Sequence, residues 1–298
     1  MNETKNYSIT KSGAVILEGG ANRGVFTAGA LDFLMEQEYY IPHVIGVSAG
    51  ACNALDYVSR QIGRTRDCMI VTDEKNRYVN KNIKTIVEKK ALLGMDMVFE
   101  RYPYEIFPFD FDTYFASPQT CELVVTNCET GRAEYLDDRE NKERLLAIGR
   151  ASSSMPIACP MVEIDGNEYV DGGVADSIPV HHALEHGCDK VVIILSNPRD
   201  FVKQPEAHRP IYKRMLRRYP KTIEGIDHRH INYQASIDLS NRLEKEGRAL
   251  IFAPSRHLPL GTFSRDAALE QKLYDLGVSD YEAKRAALQE FLKAQGHS

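Results

Sequence analysis

Ala14-Val-Ile-Leu-Glu-Gly-Gly-Ala-Asn-Arg-Gly24 is a short apolar run that breaks into a glycine-rich turn, and Val44-Ile-Gly-Val-Ser-Ala-Gly50 repeats that arrangement one unit later. The first run, Ala14–Leu17, is too short for a helix and carries no polar residue, which reads as a buried strand. From Val25 to Glu36 the apolar residues at 26, 30, 33 and 34 take helical spacing. Val44–Val47 reads as a second strand, followed at once by a helix through about Arg60. Strand, turn, helix, strand, turn, helix describes β-α-β units, and these units build parallel sheets.

Further along, Cys121–Thr126 reads as another buried strand, with Ala133–Leu136 pairing near it. Ile83–Leu93 has a helical pattern that closes on Gly94. Glu143–Ala151 reads as a helix ending at Ser152-Ser-Ser154, ahead of Pro156. Glu168–Val170 is a brief strand that stops at Asp171-Gly-Gly173. Ser177 and Pro179 mark a helix start, because proline fits the first turn. Lys190–Leu195 is the last clear core strand, and charged helical segments separated by prolines take over beyond about residue 200.

Composition narrows the function classes. The chain has 298 residues, 43% hydrophobic and 27% charged, enough for one large α/β domain or a smaller one with an attachment. A formal net charge of −5 gives no whole-chain reason to expect nucleic acid as a partner. Met1–Ser12 is polar and lacks the apolar centre of a signal peptide. No stretch approaches 18 uninterrupted apolar residues, so no transmembrane helix is expected. Six cysteines, at 52, 68, 121, 128, 159 and 188, form no C-x-x-C pair. Reduced thiols in a cytoplasmic protein are the expectation. The nine histidines show no H-E-x-x-H or similar spacing, so neither a metal nor a cofactor is expected.

Three elements carry candidate chemistry. Gly46-Val-Ser-Ala-Gly50 has the form G-x-S-x-G at a strand-to-helix junction. There, glycines allow the sharp turn that exposes a serine hydroxyl, and the amides of the following helix favour negative charge nearby. The plainer reading has Ser48 only capping that helix. Gly19-Gly-Ala-Asn-Arg-Gly24 follows the first strand, and its amides can converge on an oxyanion. A dinucleotide-binding loop is the rival, but the spacing is G-x-A-x-x-G and no ribose-binding acid stands where one is needed. A phosphate-binding P-loop is excluded by the missing G-K-[ST] ending. Asp171-Gly172-Gly173 is by itself a turn signal. At a strand end it also projects a carboxylate, which could take a serine proton without an intervening imidazole.

Taken in order, Glu18-Gly-Gly-Ala-Asn-Arg-Gly-Val25, Gly46-Val-Ser-Ala-Gly50 and Asp171-Gly-Gly173 resemble the signature set of the patatin-like phospholipase family. The loop Ala151-Ser-Ser-Ser-Met-Pro156 is similar to that family too. The likeness covers about residues 13–198, and Leu17–Asp32 resembles the bacterial, soluble branch. Arg248–Pro254 and Leu269–Gly277 resemble a region appended in some bacterial members. The resemblance implies an α/β fold of three α/β/α layers around a mainly parallel sheet. A catalytic domain would span 13–198, with a mostly helical region at 199–298 packed on it. It also implies Ser48 as nucleophile and Asp171 as base, with an oxyanion hole of amides from Gly19, Gly20, Ala21 and Ala49. Arg23, Gly24, Gly46, Gly50, Gly172 and Gly173 complete the motifs. Ala21 departs from the family pattern, which has a third glycine there. A methyl is tolerated only if that position does not need positive φ.

The expected function is hydrolysis of a lipid or other carboxylic ester through an acyl-enzyme. The rivals are a catalytically silent relative that binds or regulates, a Ser-His-Asp α/β-hydrolase and a nucleotide-dependent oxidoreductase. Ser48 lies too near the N-terminus for the α/β-hydrolase order. Residues 203–229 raise a separate expectation. Eight basic residues there (203, 209, 213, 214, 217, 218, 221 and 229) face three acids. Tyr212, Met215, Leu216 and Tyr219 fall on one helical face. That pattern fits a helix packed on the core, or one resting peripherally on an anionic membrane surface.

Overall fold

In the computed structural model, which describes residues 13–79, 92–264 and 266–293, the strands in chain order are β1 (Gly13–Leu17), β2 (His43–Val47), β3 (Thr120–Asn127), β4 (Ala133–Leu136), β5 (Val162–Ile164), β6 (Asn167–Asp171), β7 (Lys190–Ile194) and β8 (Ala249–Phe252). The helices of the first half are α1 (Gly24–Glu36), α2 (Ala49–Val58), α3 (Arg64–Met69), α4 (Met97–Ile106, wound with the wide π pitch), α5 (Phe111–Ala116) and α6 (Lys142–Ser152). Those of the second half are α7 (Val180–Glu185), α8 (Arg209–Met215), α9 (Pro220–Lys245), α10 (Ala267–Ala283) and α11 (Arg285–Leu292). The helix expected over Ile83–Leu93 falls almost entirely outside the described residues.

The strands form one sheet in the order β5-β6-β3-β2-β1-β7-β8, with β4 also paired to β3. β3, β2, β1, β7 and β8 run parallel, whereas β4 and β6 pair antiparallel with β3, and β5 with β6. Alternation along the strands divides the core into two layers. Val15, Leu17, Val192 and Ile194 pack towards α1, α2, α6, α10 and α11. Ala14, Ile16, Ile45, Val47, Val191 and Ile193 pack towards α7 and α9. The result is the mainly parallel three-layer α/β/α arrangement.

Two features of the C-terminal third were not read from the sequence. β8 pairs in parallel with β7, from Val191↔Ala249 to Ile194↔Phe252, so the sheet continues past the helical stretch. α10 lies along α1, where the Tyr274 hydroxyl donates to Asp32 at 2.7 Å. The basic segment also differs from expectation. Its helix stops at Met215, and Pro220 opens a new one, so residues 212–219 do not share one helical face. Tyr212 and Leu216 are buried against Val170, Val174 and Ile226. Ile211 and Met215 remain 48% and 49% exposed, beside the exposed Lys213, Arg214, Arg217 and Arg218.

Candidate active site

The site sits at the carboxyl ends of the parallel strands, the usual place for a ligand in an open α/β sheet. β2 pairs β3 through Val47↔Val124, and β3 pairs β6 through Val125↔Asp171. Ser48 and Asp171 therefore leave the sheet two strands apart at nearly the same level. The chain after Asp171 then folds over β3. A Cβ on Gly172 would meet the Val124 carbonyl oxygen at 2.1 Å, so only glycine permits that approach. The fold-over carries the carboxylate to Ser48, whose Oγ donates to Asp171 Oδ2 at 2.6 Å.

Ser48 is held at φ 56°, a left-handed conformation that bulky residues avoid, between Gly46 and Gly50 and ahead of α2. Its side chain caps no amide of that helix, so the plain capping reading is not what the structure has. Instead, the Ser48 amide donates to Ser152 Oγ at 3.0 Å, and the Asp171 amide donates to the Ser154 carbonyl at 2.9 Å. The serine-rich end of α6 thus braces both residues. Asp171 is 2% exposed, and its Oδ1 accepts from the Gly173 amide at 2.8 Å. Burial pushes its carboxyl above the usual aspartate value, against the opposing pull of the Arg229 charge, the Ser48 and Gly173 hydrogen bonds and Lys203.

The glycine-rich loop lies directly beside Ser48. A Cβ on Gly19 would fall 2.8 Å from the Ser48 Cβ, so a side chain there would displace the serine. Among the described residues, no acceptor engages the amides of Gly19, Gly20, Ala21 or Ala49. Ala21 has φ 47°, so this position does adopt the left-handed conformation, and its methyl carries the strain that a glycine would lack. Arg23 ends a single 3-10 turn, with its Nε buried and unpartnered, and Gly24 opens α1.

Several residues at the site were given no role from the sequence. Glu18 is buried behind the loop, accepting from the Ser196 amide at 2.7 Å and the Tyr233 hydroxyl at 3.0 Å. Asn22 donates to Glu270 Oε1 and to the Ser264 carbonyl, each at 2.7 Å. Arg229 donates through Nε to the Gly173 carbonyl. Lys203 lies with its Nζ 5.2 Å from the Tyr233 ring centre, and burial pulls its pKa down to about 8. Arg229 and Lys203, counted above in the basic segment 203–229, thus turn inward towards the site. No histidine among the described residues bonds to Ser48 or Asp171. His181 and His228 are exposed, and His182 bonds to Glu122 at 2.8 Å instead. An apolar cavity of about 120 Å³ opens from Ser48 along α2.

Comparison with known proteins shows the family and the fold. The sequence profile of the patatin-like phospholipase family matches residues 15–184, from β1 through most of α7. The chain belongs to the patatin-like phospholipase family. A second profile, a domain of unknown function (DUF6363), matches residues 219–293, so this family member carries an appended region. It is similar to the uncharacterized protein YjjU of Escherichia coli, at 28% identity over 280 residues, covering 89% of this chain and 74% of that one. Among solved structures it resembles VipD from Legionella pneumophila, with a TM-score of 0.51 and 13% identity. That likeness covers 93% of this chain and 67% of VipD, and it speaks to the fold alone. No helix among the described residues is long and apolar enough to cross a membrane.

Proposed function

We propose that this protein hydrolyses carboxylic esters of lipids through an acyl-enzyme on Ser48, with Asp171 as its only proton-transfer partner. The observation that carries this reading is the direct 2.6 Å hydrogen bond from Ser48 Oγ to Asp171 Oδ2 at a strained strand-to-helix turn. Ser48 Oγ attacks the ester carbonyl carbon while its proton passes to Asp171 Oδ2. The carbonyl oxygen becomes an oxyanion, which the amides of Gly19, Gly20, Ala21 and Ala49 receive. Collapse breaks the bond to the leaving oxygen, and Asp171 returns the proton to that oxygen, releasing the alcohol. Water then adds to the acyl-serine, giving a proton to Asp171, and the second collapse restores Ser48 with that proton. Burial serves this role, because a carboxylate raised above its usual pKa is a stronger base.

Six free cysteines fit a reducing, cytoplasmic setting. The exposed Ile211 and Met215 beside Lys213, Arg214, Arg217 and Arg218 support peripheral contact with an anionic lipid surface. The test of the chemistry is an alkyl fluorophosphonate, which captures an activated serine, together with a soluble short-chain ester. Wild type should label on Ser48 and turn over the ester, and Ser48→Ala should do neither while keeping its melting temperature. Labelling that persists in Ser48→Ala would move the nucleophile elsewhere. A wild-type protein that neither labels nor hydrolyses would be a silent family member.

A further inference from the structure

The cavity beside Ser48 runs along α2. Helix α2 starts beside Ser48 and supplies its spine, because Ser48, Cys52, Leu55 and Asp56 stack on one helical face. Phe99 and Tyr102 of α4, with Phe109 beyond it, form apolar walls. Asp56 is the lining residue farthest along α2 from Ser48; it meets Arg64 and Thr65, which line the cavity too, and the three serve as its floor. Asp56 is 3% exposed, and both its oxygens are taken. Arg64 donates to Oδ1 at 2.6 Å and the Thr65 hydroxyl to Oδ2 at 2.6 Å. Arg64 is fixed further by donating to the Phe107 carbonyl at 2.9 Å and 2.8 Å. An alkyl chain cannot push into this floor without separating a buried ion pair, among the costliest changes a protein interior can undergo.

We infer that the buried Asp56–Arg64 pair is an acyl-length ruler, and that the site prefers medium-chain acyl groups of about six to ten carbons, two lengths derived below. This rests on the hydrolase reading above and names the substrate class for it. The distance from Ser48 to Asp56 along the helix is eight residues, or about 12 Å at the usual rise. An extended chain advances about 1.2 Å per bond, so about ten carbons reach the floor. Volume gives the lower figure. A dry cavity of about 150 Å³ accepts a six-carbon ring, so the 120 Å³ here holds about as many carbons, with the remainder in the open mouth. Each methylene buried before the floor contributes about fourfold to binding, and those beyond it contribute nothing or clash.

The experiment measures kcat/KM for p-nitrophenyl esters from two to sixteen carbons, held at one mole fraction in detergent micelles so that presentation is constant. The expected profile peaks between six and ten carbons and falls by at least about tenfold at sixteen, the loss of fewer than two methylene increments. A profile that rises or stays flat to sixteen carbons overturns the ruler while leaving the hydrolase reading intact. No hydrolysis at any length overturns both. A second arm uses Cys52→Phe, one turn from Ser48, where the added ring fills cavity space. Its ratio of ten-carbon to four-carbon kcat/KM should drop by about tenfold or more relative to wild type. Labelling of Ser48 by a short-chain fluorophosphonate reports that the variant is folded. An unchanged ratio in a protein that still labels overturns the placement of the acyl chain.

Discussion

Asp171→Asn separates a direct serine–aspartate pair from every histidine-dependent alternative. In the native site two donors face the carboxylate: Ser48 Oγ–H at 2.6 Å on Oδ2 and the Gly173 amide at 2.8 Å on Oδ1. Asparagine offers one acceptor for those two donors. The Gly173 amide is fixed by the backbone, and leaving it unpaired would cost about 1–3 kcal/mol. The Ser48 hydroxyl can rotate. The side-chain oxygen therefore stays with Gly173 and the new amide group turns to Ser48, making the serine an acceptor with no base beside it. Stability should change little, whereas kcat should fall at least about 10²-fold, and towards 10⁴-fold if Asp171 supplies all the proton transfer. That range corresponds to about 2.7–5.5 kcal/mol of barrier. The assay is hydrolysis of a soluble butyrate ester with a thermal melt on the same preparation. His181→Ala and His228→Ala, run alongside, should stay close to wild type. An Asp171→Asn rate within about tenfold of wild type, or a histidine substitution equally damaging, would refute the dyad. The same carboxylate shapes the pH profile. Its pKa is raised by burial, so the acid limb of kcat/KM should fall at a pH above the ordinary aspartate value of 3.8.

Ala21 at φ 47° predicts that Ala21→Gly keeps activity within about tenfold, with relief of about 1 kcal/mol of strain partly offset by greater freedom in the unfolded chain. Gly20→Val, whose Cβ would meet Ser196 Oγ at 2.4 Å, should instead cost on the order of 10²–10³ in kcat, as for a lost oxyanion donor. Equal tolerance in initial-rate assays would exclude the loop from oxyanion binding. At the other end of the sheet, Glu122 accepts from His43 at 2.5 Å and from His182 at 2.8 Å. Burial opposes both charges, but the contacts win: Glu122 is lowered from 4.5 to about 2, and His43, also bonded to Cys188, is raised from 6.5 to about 9. The glutamate's contribution to stability is present above pH 4.5 and lost as pH falls towards 2, and the histidine's is present below 6.5 and lost as pH rises towards 9. Glu122→Gln should therefore destabilise most between pH 4.5 and 6.5, and urea midpoints that shift equally at pH 5.5 and 9.5 would contradict the assignment. Reversing Arg214 and Arg217 to Glu should weaken salt-sensitive binding to anionic vesicles without altering soluble-ester hydrolysis, and vesicle binding indifferent to the change would leave the segment as packing.

The centre of the site was legible because its geometry is set locally. A glycine-flanked serine after Val44–Val47 and an aspartate before two glycines are turn chemistry, written within a few residues of the groups they aim. The strain at Ala21 was legible only as a condition, since whether the loop needs positive φ depends on the backbone path. The helix following the loop was read from apolar spacing, yet α1 is buried from Gly24 through Met35, enclosed by α10, α2 and α3. β8 escaped notice because four residues soon after a charged 26-residue helix offer almost no pattern. Arg229 was misread for a related reason. On the sequence it is one more cation in a basic run, and only the fold shows that it reaches the Gly173 carbonyl, 56 residues away.

These long-range contacts explain how strain persists at the site. Ser48 at φ 56° and Ala21 at φ 47° occupy conformations that endure only where the surroundings over-determine them. For Ser48 the restraint comes from Ser152, 104 residues away. For the loop it comes from Glu270, 248 residues beyond Asn22, and from Tyr233, which reaches Glu18 across 215 residues. Arg229, Tyr233 and Glu270 all lie in the appended region matched at 219–293, outside the 15–184 match that contains Ser48 and Asp171. A separate module resting on the surface would satisfy its buried polar groups internally. Here the Glu270 carboxylate, whose pKa burial raises, takes its hydrogen bond from the glycine-rich loop instead. Displacing α10 would leave that acid and Asn22 without each other, and displacing α9 would release Glu18 and the turn after Asp171 together. The appended helices and the family core therefore hold one site between them, and its strained residues depend on both.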